Sequence, residues 1–307
     1  MKRGQVIGLK ERLRHSVKFY VYISPWIIGF LCFTAIPMFF SLYMSFTNAT
    51  ILGIGTSSTE WVGFGNFEMI FTKDPVFLKS ISNTFIYTGL RVVLVIFISL
   101  LFALLLNLNI PCKKLFRTMI YLPAIIPVVG SALLWQLLFN YDMSIFNSFF
   151  NWLGLPSYNF LSYDNALYSV VLMSVWTGIG PTMVIILAAL QGVPDEYEEA
   201  AKLDGAGAVR RFVYITFPLI SSSLIFLAIT GVIGALQAYA EMDLLTGGGP
   251  GDATITMTMQ VVGNAFSSDA KGIGYASAQS WFIFVIVMAF TVVFMKINNS
   301  FVYYGEK

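Results

Sequence analysis

Charged residues are scarce in this sequence. Asp, Glu, Lys and Arg make up 11% of the 307 residues, while apolar residues make up 57%. Soluble globular proteins contain about 25% charged residues, so this composition excludes that class. It predicts instead a single domain, residues 1–307, built as a bundle of apolar helices in a lipid bilayer. The formal net charge of +2 indicates no particular partner, and we expect no nucleic acid among the partners.

The sequence also lacks the residues that most catalytic and metal sites need. His15 is its one histidine and lies in a basic tail, and Cys32 and Cys112 have neither a near partner nor metal-type spacing. We therefore expect no disulfide framework, no metal site and no intramembrane catalytic centre. A Gly-x-x-x-x-Gly-Lys-Ser/Thr nucleotide loop is absent as well, so ATP chemistry would have to come from another subunit. These absences favour a protein that is not an enzyme and binds no cofactor.

What the sequence does contain is six long apolar runs. A helix needs about 20 residues to cross the ~30 Å apolar core of a bilayer, and each run meets that length. The first run is far longer than the apolar part of a signal peptide, so we expect it to be retained as a helix. In the third run, Pro123 and Pro127 predict a bent helix beside a cavity. The predicted spans are residues 19–46, 84–106, 116–138, 166–190, 217–239 and 275–297.

Lysine and arginine are distributed unevenly among the segments that flank these spans. They are frequent in the N-terminal tail, after span two, after span four and at the C-terminal end, whereas the other three segments contain Lys73, Lys79 and Lys271. An excess of these residues marks the cytoplasmic side of a membrane. Both termini and the segment after span four are therefore predicted to be cytoplasmic, and segments 48–83 and 240–274 are predicted to lie outside.

The two long outside segments have distinctive compositions. The first contains an aromatic cluster around Trp61, Phe64 and Phe67, and the second contains the glycine-rich run 247–251. Segments of this length are usually either functional or disordered, and the aromatic side chains favour order. Two interpretations of the aromatic cluster remain open. It forms a belt at the level of the lipid headgroups, or it forms a docking surface for an outside partner.

Residues 191–216, between spans four and five, form a charged loop in an otherwise apolar chain. Pro194 suits the first turn of a helix, the acids that follow are stabilised near a helix N-terminus, and Gly205 suits a left-handed C-cap. We therefore predict two short helices. Clustered acids have the wrong sign for an anionic lipid surface, which favours docking of a soluble protein, with a merely solvated loop as the alternative. The charged residues are Asp195, Glu196, Glu198, Glu199, Lys202, Asp204, Arg210 and Arg211.

The charged loop also contains a known motif. Glu-Ala-Ala, three residues, Gly, nine residues, Ile, one residue and Leu-Pro is the EAA motif of the membrane subunits of bacterial ABC importers. The chain therefore resembles these permeases, and its segments 24–26, 62–67, 122–123 and 246–250 are similar to the maltose-type, sugar-transporting branch. Phe217 replaces the usual leucine. The motif reads Glu199-Ala200-Ala201, Gly205, Ile215 and Phe217-Pro218.

This resemblance implies the type I ABC-importer fold, an all-α membrane protein with six transmembrane helices in the bacterial cytoplasmic membrane. It implies ATP-driven import of a carbohydrate, with an oligosaccharide favoured, by alternating access. The implied partners are a second homologous permease in a heterodimer, two ATP-binding subunits that use ATP and Mg, and an extracellular solute-binding protein. The charged loop would be the coupling helix that contacts an ATPase subunit. Its implied coupling residues are Glu198, Glu199, Ala200, Ala201, Asp204, Gly205 and Arg210.

The cargo pathway is expected between spans four and five, which carry polar and small residues and supply the sugar contacts in the maltose-type family. Aromatic rings would stack on sugar rings, while hydroxyl and amide groups would form the hydrogen bonds. The alternative for Gly231 with Ala235, and for Gly234 with Ala238, is plain helix packing, because small residues four apart have that spacing. The pathway candidates are Ser174, Trp176, Thr177, Gly178, Gly231, Ala235, Gln237, Ala238 and Tyr239.

Arg91 is predicted about two turns inside span two. Its possible roles are snorkelling to the membrane interface, pairing with an acid such as Glu241, and cargo binding, and the first two are favoured. Two alternatives to the main function stay open. One is an ABC importer for a polyol or glycerol phosphate, and the other is an ion-coupled secondary transporter, which would need membrane-embedded carboxylates or broken-helix ion sites.

Overall fold

The computed structural model describes residues 9–50, 59–141, 144–266 and 271–301. Parts of the two segments predicted to lie outside, residues 51–58 and 267–270, fall beyond these ranges. Within the ranges the chain is helical, and an isolated antiparallel bridge joins Thr47 to Trp61. The predicted all-α class is therefore confirmed. The helices are α1 (Leu9–Phe30), α2 (Ile36–Met44), α3 (Gly65–Thr72), α4 (Pro75–Asn107), α5 (Lys113–Tyr121), α6 (Val128–Phe139), α7 (Ile145–Trp152), α8 (Ala166–Gln191), α9 (Asp195–Leu203), α10 (Ala208–Arg211), α11 (Phe217–Leu236), α12 (Ala240–Thr246), α13 (Met257–Phe266) and α14 (Ile273–Phe301).

Five helical segments of the described chain are long and apolar enough to cross a bilayer. Two of them contain a π-helical turn, which joins α1 to α2 at Leu31–Ala35 and α10 to α11 at Phe212–Thr216. Five of the six predicted spans therefore correspond to continuous helical segments. These segments are Lys18–Met44, Pro75–Asn107, Ala166–Gln191, Ala208–Leu236 and Ile273–Lys296.

The third predicted span differs from a simple transmembrane helix. The chain bends by 98° between Lys113–Ile125 and Val128–Phe139, so these two pieces make one broken span or a re-entrant segment. Proline causes the bend. Pro127 pushes Ile126 into an extended conformation, with ψ 127°, and it begins α6 as the N-cap residue. The expectation of a bend near Pro123 and Pro127 is confirmed, and the angle is far larger than that of an ordinary kink.

The second predicted span begins earlier than expected, at Pro75 rather than at residue 84. Asp74 caps α4, because its Oδ1 accepts a hydrogen bond from the backbone N–H of Phe77 at 3.0 Å. Its Oδ2 accepts hydrogen bonds from the Lys271 ammonium and, at 2.7 Å, from the Tyr275 hydroxyl. This buried carboxylate therefore connects the first turn of α4 to the first turn of α14.

The long helices α4, α8 and α11 form the centre of the bundle, and α4 and α8 share the most extensive contact. Ser99 of α4 donates a hydrogen bond to the carbonyl oxygen of Ile179 in α8 at 3.0 Å. Gly180 of α8 lies against the chain just before the bend. A Cβ atom at this position would come within 2.8 Å of the Ile120 carbonyl oxygen and of the Tyr121 Cα atom. Glycine is therefore required for this close backbone approach.

The segment predicted as the second outside loop is folded onto the bundle and includes α12 and α13. The Asn83 side chain on α4 donates hydrogen bonds to the carbonyl oxygens of Asp252 and Ile255, both at 3.0 Å. Gln136 on α6 donates to the carbonyl oxygen of Leu244 at 2.8 Å. These side-chain contacts to backbone hold the glycine-rich run 247–251 against α4 and α6. These hydrogen bonds join residues that are far apart in the sequence, so the sequence pattern did not predict them.

Candidate functional site: a charged loop and a central cavity

The charged loop folds as two short helices, as predicted. Gly205 ends α9 in the left-handed conformation, with φ +77°, and donates its N–H to the carbonyl of Lys202 at 3.0 Å. The N–H of Ala206 bonds the carbonyl of Ala201 at 2.9 Å. This pair of bonds is the Schellman arrangement that terminates helices at glycine. Pro194 lies just before the first helical residue rather than inside the first turn.

The adjacent acids Glu198 and Glu199 have different surroundings. Glu198 Oε2 lies 3.8 Å from Lys202 Nζ and 3.9 Å from Arg211 Nε. Arg211 also donates to the carbonyl oxygen of Ala206 at 2.7 Å, so this cluster holds the two helices of the loop together. Glu199 is exposed and forms no ion pair or hydrogen bond with any residue that the structure describes. Glu199 is therefore free to contact another molecule, whereas Glu198 stabilises the loop itself.

Large apolar side chains are exposed on the same loop as Glu199. Leu203, one turn further along α9, is 91% exposed, and Val209 on α10 is 77% exposed. Ala201, on the opposite side of α9, is buried. Large apolar side chains that stay exposed on a charged loop favour a docking surface over a merely solvated loop. Of the remaining predicted coupling residues, Ala200, Asp204, Gly205 and Arg210 are exposed.

A central cavity of about 400 Å³ lies between α4, α8, α11 and the bend that precedes α6. Small residues make room for it. Gly178 of α8 and Gly231 and Gly234 of α11 lie in its wall, and a Cβ atom added to Gly234 would meet no atom within 4 Å. Ala124, in the turn at the bend, completes the wall. The prediction that the bent span lies beside a cavity is therefore confirmed.

Two hydroxyl groups of the cavity wall act as hydrogen-bond acceptors. Thr230 donates its hydroxyl proton to the carbonyl of Phe226 in its own helix, and Thr177 donates in the same way to Ser174. Their hydroxyl oxygens can then only accept. Pro181 lacks an N–H, so the carbonyl of Thr177 has lost its regular helical donor at the wall. Such a surface suits a ligand that is rich in hydroxyl groups.

Arg91 also lines this cavity, and one of the two favoured predictions for it, an ion pair with Glu241, is wrong. It lies in the middle of α4, sixteen residues from each end of Pro75–Asn107, or about 24 Å at 1.5 Å per residue. The helix is longer than the ~30 Å apolar core of a bilayer, so its ends do not mark the membrane interface, and snorkelling stays a prediction. Glu241 forms no ion pair with it, since no acid of the described chain lies within 4.0 Å of its guanidinium.

The structure places the other predicted pathway residues in different surroundings. Thr177, Gly178 and Gly231 line the cavity. Ser174, Ala235 and Ala238 are buried in the packing between helices instead, in agreement with the packing interpretation for the two alanines. Trp176 packs edge-on against Trp135, with ring centroids 5.7 Å apart. Gln237 and Tyr239 lie beyond the C-terminal residue of α11, which ends at Leu236, and Gln237 donates a hydrogen bond to the carbonyl of Ile233 at 3.2 Å.

The sequence interpretation missed several cavity residues, among them one proline and two threonines. Pro181, Thr182 and Thr230 line the wall together with the predicted glycines. Their spacing held a usable signal, because positions 177, 178, 181 and 182 share one helical face and positions 227, 230, 231 and 234 share another. No group of three His, Cys, Asp or Glu side chains in the described ranges is arranged to hold a metal ion.

Comparisons with known proteins agree with this architecture. The family model for the binding-protein-dependent transport system inner membrane component matches residues 95–302. The probable ABC transporter permease protein YesP of Bacillus subtilis is 35% identical, covering 94% of this chain and 92% of its own length. The arabinooligosaccharides transport system permease protein AraP of Halalkalibacterium halodurans is 31% identical, covering 90% of this chain and 86% of its own.

A solved structure has the same fold. A chain of a bacterial ABC transporter involved in the import of the acidic polysaccharide alginate superposes with a TM-score of 0.80 at 21% identity, covering 95% of this chain and 98% of that one. The fold, the apolar spans and the family match agree over most of the sequence. The chain therefore belongs to the family of binding-protein-dependent transport system inner membrane components, the permease subunits of ABC transporters.

Proposed function

We propose that this permease moves a carbohydrate, with an oligosaccharide favoured, through the central cavity under the control of an ATPase that docks on the charged loop. The observation that carries the proposal is a direct connection. Helices α8 and α11 form two walls of the cavity, and the charged loop is the segment that joins them. A force on the loop therefore acts on both walls at once. Glu199 and the exposed Leu203 beside it would make the contact with the ATPase.

Membership of the family makes the chain a multi-pass component of the bacterial membrane and a translocation subunit rather than an enzyme. The further partners are part of the proposal. They are two ATP-binding subunits that use ATP and Mg, a second homologous permease, and an extracellular solute-binding protein that delivers the cargo. Both chain termini and the charged loop would face the cytoplasm, in accordance with the distribution of lysine and arginine.

The carbohydrate cargo is supported by the chemistry of the wall. Sugar hydroxyls can donate to the oxygens of Thr177 and Thr230, and the glycines leave space for rings. AraP, a relative at 31% identity, is described as a permease for arabinooligosaccharides. An ion-coupled carrier would need carboxylates at membrane depth, and the cavity wall formed by the described residues contains none. ATP-driven import therefore remains the function that the geometry supports best.

The mechanism follows from alternating access. ATP binding would draw the two ATPase subunits together, and the docked loops would move with them. Because α8 and α11 extend from the loop as long helices, that movement would change the width of the cavity and its open side. ATP hydrolysis would return the helices to their first position. In this scheme the Glu198–Arg211 cluster keeps the loop rigid enough to transmit the motion.

The test compares two acids on the same helix. The permease, co-expressed with its partner subunits in nanodiscs, is assayed for ATPase activity stimulated by the binding protein, and in proteoliposomes for sugar uptake. We expect Glu199→Lys to lower coupled uptake at least tenfold. The lysine would place a positive charge in the contact with the ATPase, where the partner surface would accommodate a negative one. Glu196→Lys makes the same charge change at another exposed position of α9 and should leave uptake within twofold. Uptake by the chain alone, without an ATPase and indifferent to Glu199, would refute the proposal.

A further inference from the structure

Arg91 is the charged side chain of the cavity wall, and it has no counterion among the described residues. The guanidinium forms no hydrogen bond or ion pair there, and its Nε is buried without a partner. An unpaired cation at membrane depth is costly, and such residues usually face a cargo or ion pathway. The guanidinium thus has unused hydrogen-bonding capacity at a position that a cargo would pass.

The surroundings of Arg91 determine which ligand group it can bind. The hydroxyl oxygens of Thr177 and Thr230 act as acceptors, because their protons are donated within their own helices. Thr182 supplies a hydroxyl that makes no hydrogen bond within the described part of the chain. The wall therefore offers one fixed cation among groups that mainly accept. Such a site binds an anionic group at the arginine and hydroxyl donors elsewhere.

We propose that Arg91 binds a carboxylate of the cargo, so that the permease selects an oligosaccharide containing a uronic acid over its neutral counterpart. This inference rests on the proposed function and names the cargo class for the same cavity. A guanidinium and a carboxylate form two parallel charge-assisted hydrogen bonds and neutralise each other. A phosphate monoester carries a charge of about −1.5 to −2 on a single group at pH 7, which one arginine does not balance, whereas each carboxylate carries a single charge. The cavity volume of about 400 Å³ lies within the range of about 300–1,000 Å³ that small-molecule sites occupy.

The test measures ligand binding to the purified permease complex without the solute-binding protein, so that the selectivity of that protein does not enter. The probes are digalacturonate and the matching galactose disaccharide, which share a linkage and differ on each ring in a carboxylate against a hydroxymethyl group. We expect the wild-type complex to bind digalacturonate roughly tenfold to a hundredfold more tightly than the neutral disaccharide. A hydrogen bond to a charged group contributes binding free energy of that size. The preference should decline as the salt concentration rises.

Three variants separate a contact with cargo from a structural role. Arg91→Gln should reduce the preference for digalacturonate to about one while changing the affinity for the neutral disaccharide less than threefold. Arg91→Lys keeps the charge and should retain part of the preference. Lys79→Gln removes a cation that lies on α4 outside the cavity wall, exposed beside the ring of Tyr163, and should leave the preference unchanged.

Several outcomes would overturn the assignment. One is equal or weaker binding of digalacturonate by the wild-type complex, a result that needs no variant. A second is tighter binding of galactose 6-phosphate than of digalacturonate, which would assign the site to phosphate. A third is loss of the second permease subunit from the Arg91→Gln complex, which would make Arg91 an assembly residue. None of these results alters the Glu199 comparison, so failure of this inference and failure of the proposed function can be distinguished.

Discussion

Replacing Asp74 should destabilise the permease more than any change to its cationic partner. Asp74 is 3% exposed and accepts three hydrogen bonds, from the Phe77 N–H, the Tyr275 hydroxyl and the Lys271 ammonium. It thus caps α4 and fastens the first turn of α14 to it. Lys271 is different, because 39% of its side chain is exposed and water can replace its partner.

The magnitudes follow from these contacts. Asp74→Ala removes a helix cap, which costs about 1 kcal/mol, and leaves the buried Tyr275 hydroxyl without an acceptor, which costs about 1–3 kcal/mol. The expected loss is therefore about 2–4 kcal/mol of the free energy of unfolding. Asp74→Asn keeps a capping oxygen and loses the charge, so about 1–2 kcal/mol is expected. Lys271→Gln breaks a partly exposed ion pair and should cost about 1 kcal/mol or less.

The assay is unfolding of the purified protein from detergent micelles, with helicity and tryptophan fluorescence as readouts. Asp164, an exposed acid before α8 with no ion pair to the described residues, provides the control. Asp164→Ala should stay within about 0.5 kcal/mol of the wild type. The double variant of Asp74→Asn and Lys271→Gln should be less destabilised than the sum of the two single variants, because both changes remove one interaction. A loss below about 0.5 kcal/mol for Asp74→Ala, or a larger loss for Lys271→Gln, would refute the reasoning.

The hydrogen bonds of Asp74 also predict how the stability of the protein depends on pH. Burial raises the pKa of Asp74, but hydrogen bonds from Lys271 and Tyr275 and the charge of Lys271 outweigh burial, so the pKa lies below its ordinary value. A carboxyl with a lowered folded-state pKa stabilises the fold above its unfolded pKa of about 3.9. That stabilisation is lost as the pH falls through the lower, folded-state value. The difference in stability between the wild type and Asp74→Asn should thus stay constant from pH 7 to pH 5 and shrink below about pH 4.

Three further predictions concern backbone and buried amides. Gly180→Ala should destabilise the bundle by about 1–3 kcal/mol in the same unfolding assay, because its Cβ would overlap backbone atoms. Gly234→Ala has open space around its Cβ and should be neutral or stabilise the protein by up to about 1 kcal/mol. Equal effects of the two substitutions would contradict this reasoning. Gly205→Ala should increase the rate of amide hydrogen exchange in α9 about 5–30-fold, because an alanine in the left-handed backbone conformation costs about 1–2 kcal/mol. Gly207 has an ordinary φ of −68°, so Gly207→Ala should leave the exchange rate unchanged. Asn83→Leu leaves two carbonyls without their donor and should speed proteolytic cleavage within 247–256, and wild-type cleavage rates would disprove that role.

Several features were predictable because they depend on short stretches of the chain. The apolar runs are long enough to cross a bilayer wherever they fold, and a proline such as Pro127 disfavours the helical conformation of the residue before it. Gly205 ends α9 for an equally local reason, because a left-handed turn is nearly free of strain only for glycine. The EAA motif combined such local features at one spacing and thereby identified the permease family before the helices were placed.

The first residue of α4 could not be predicted from the residues near it in the sequence. The sequence prediction began this span at residue 84, where the apolar run begins, but the helix begins at Pro75 because Asp74 caps it and Lys271 and Tyr275 hold Asp74 in place. Those two partners come from the other end of the chain. With this boundary, Arg91 lies in the middle of α4 rather than about two turns from its start.

The sequence by itself determined the class of protein, the number of apolar runs, the charged loop and the family. These features depend on composition, on the length of one apolar run, or on the backbone limits of a proline or glycine. Each involves residues close together in the sequence, so it can be inferred before the fold is known. Only the tertiary structure decided that Glu198 binds within the loop while Glu199 stays free, and that Arg91, Thr182 and Thr230 share one cavity. A cavity is the space left between helices that are distant in sequence, so its lining depends on their packing.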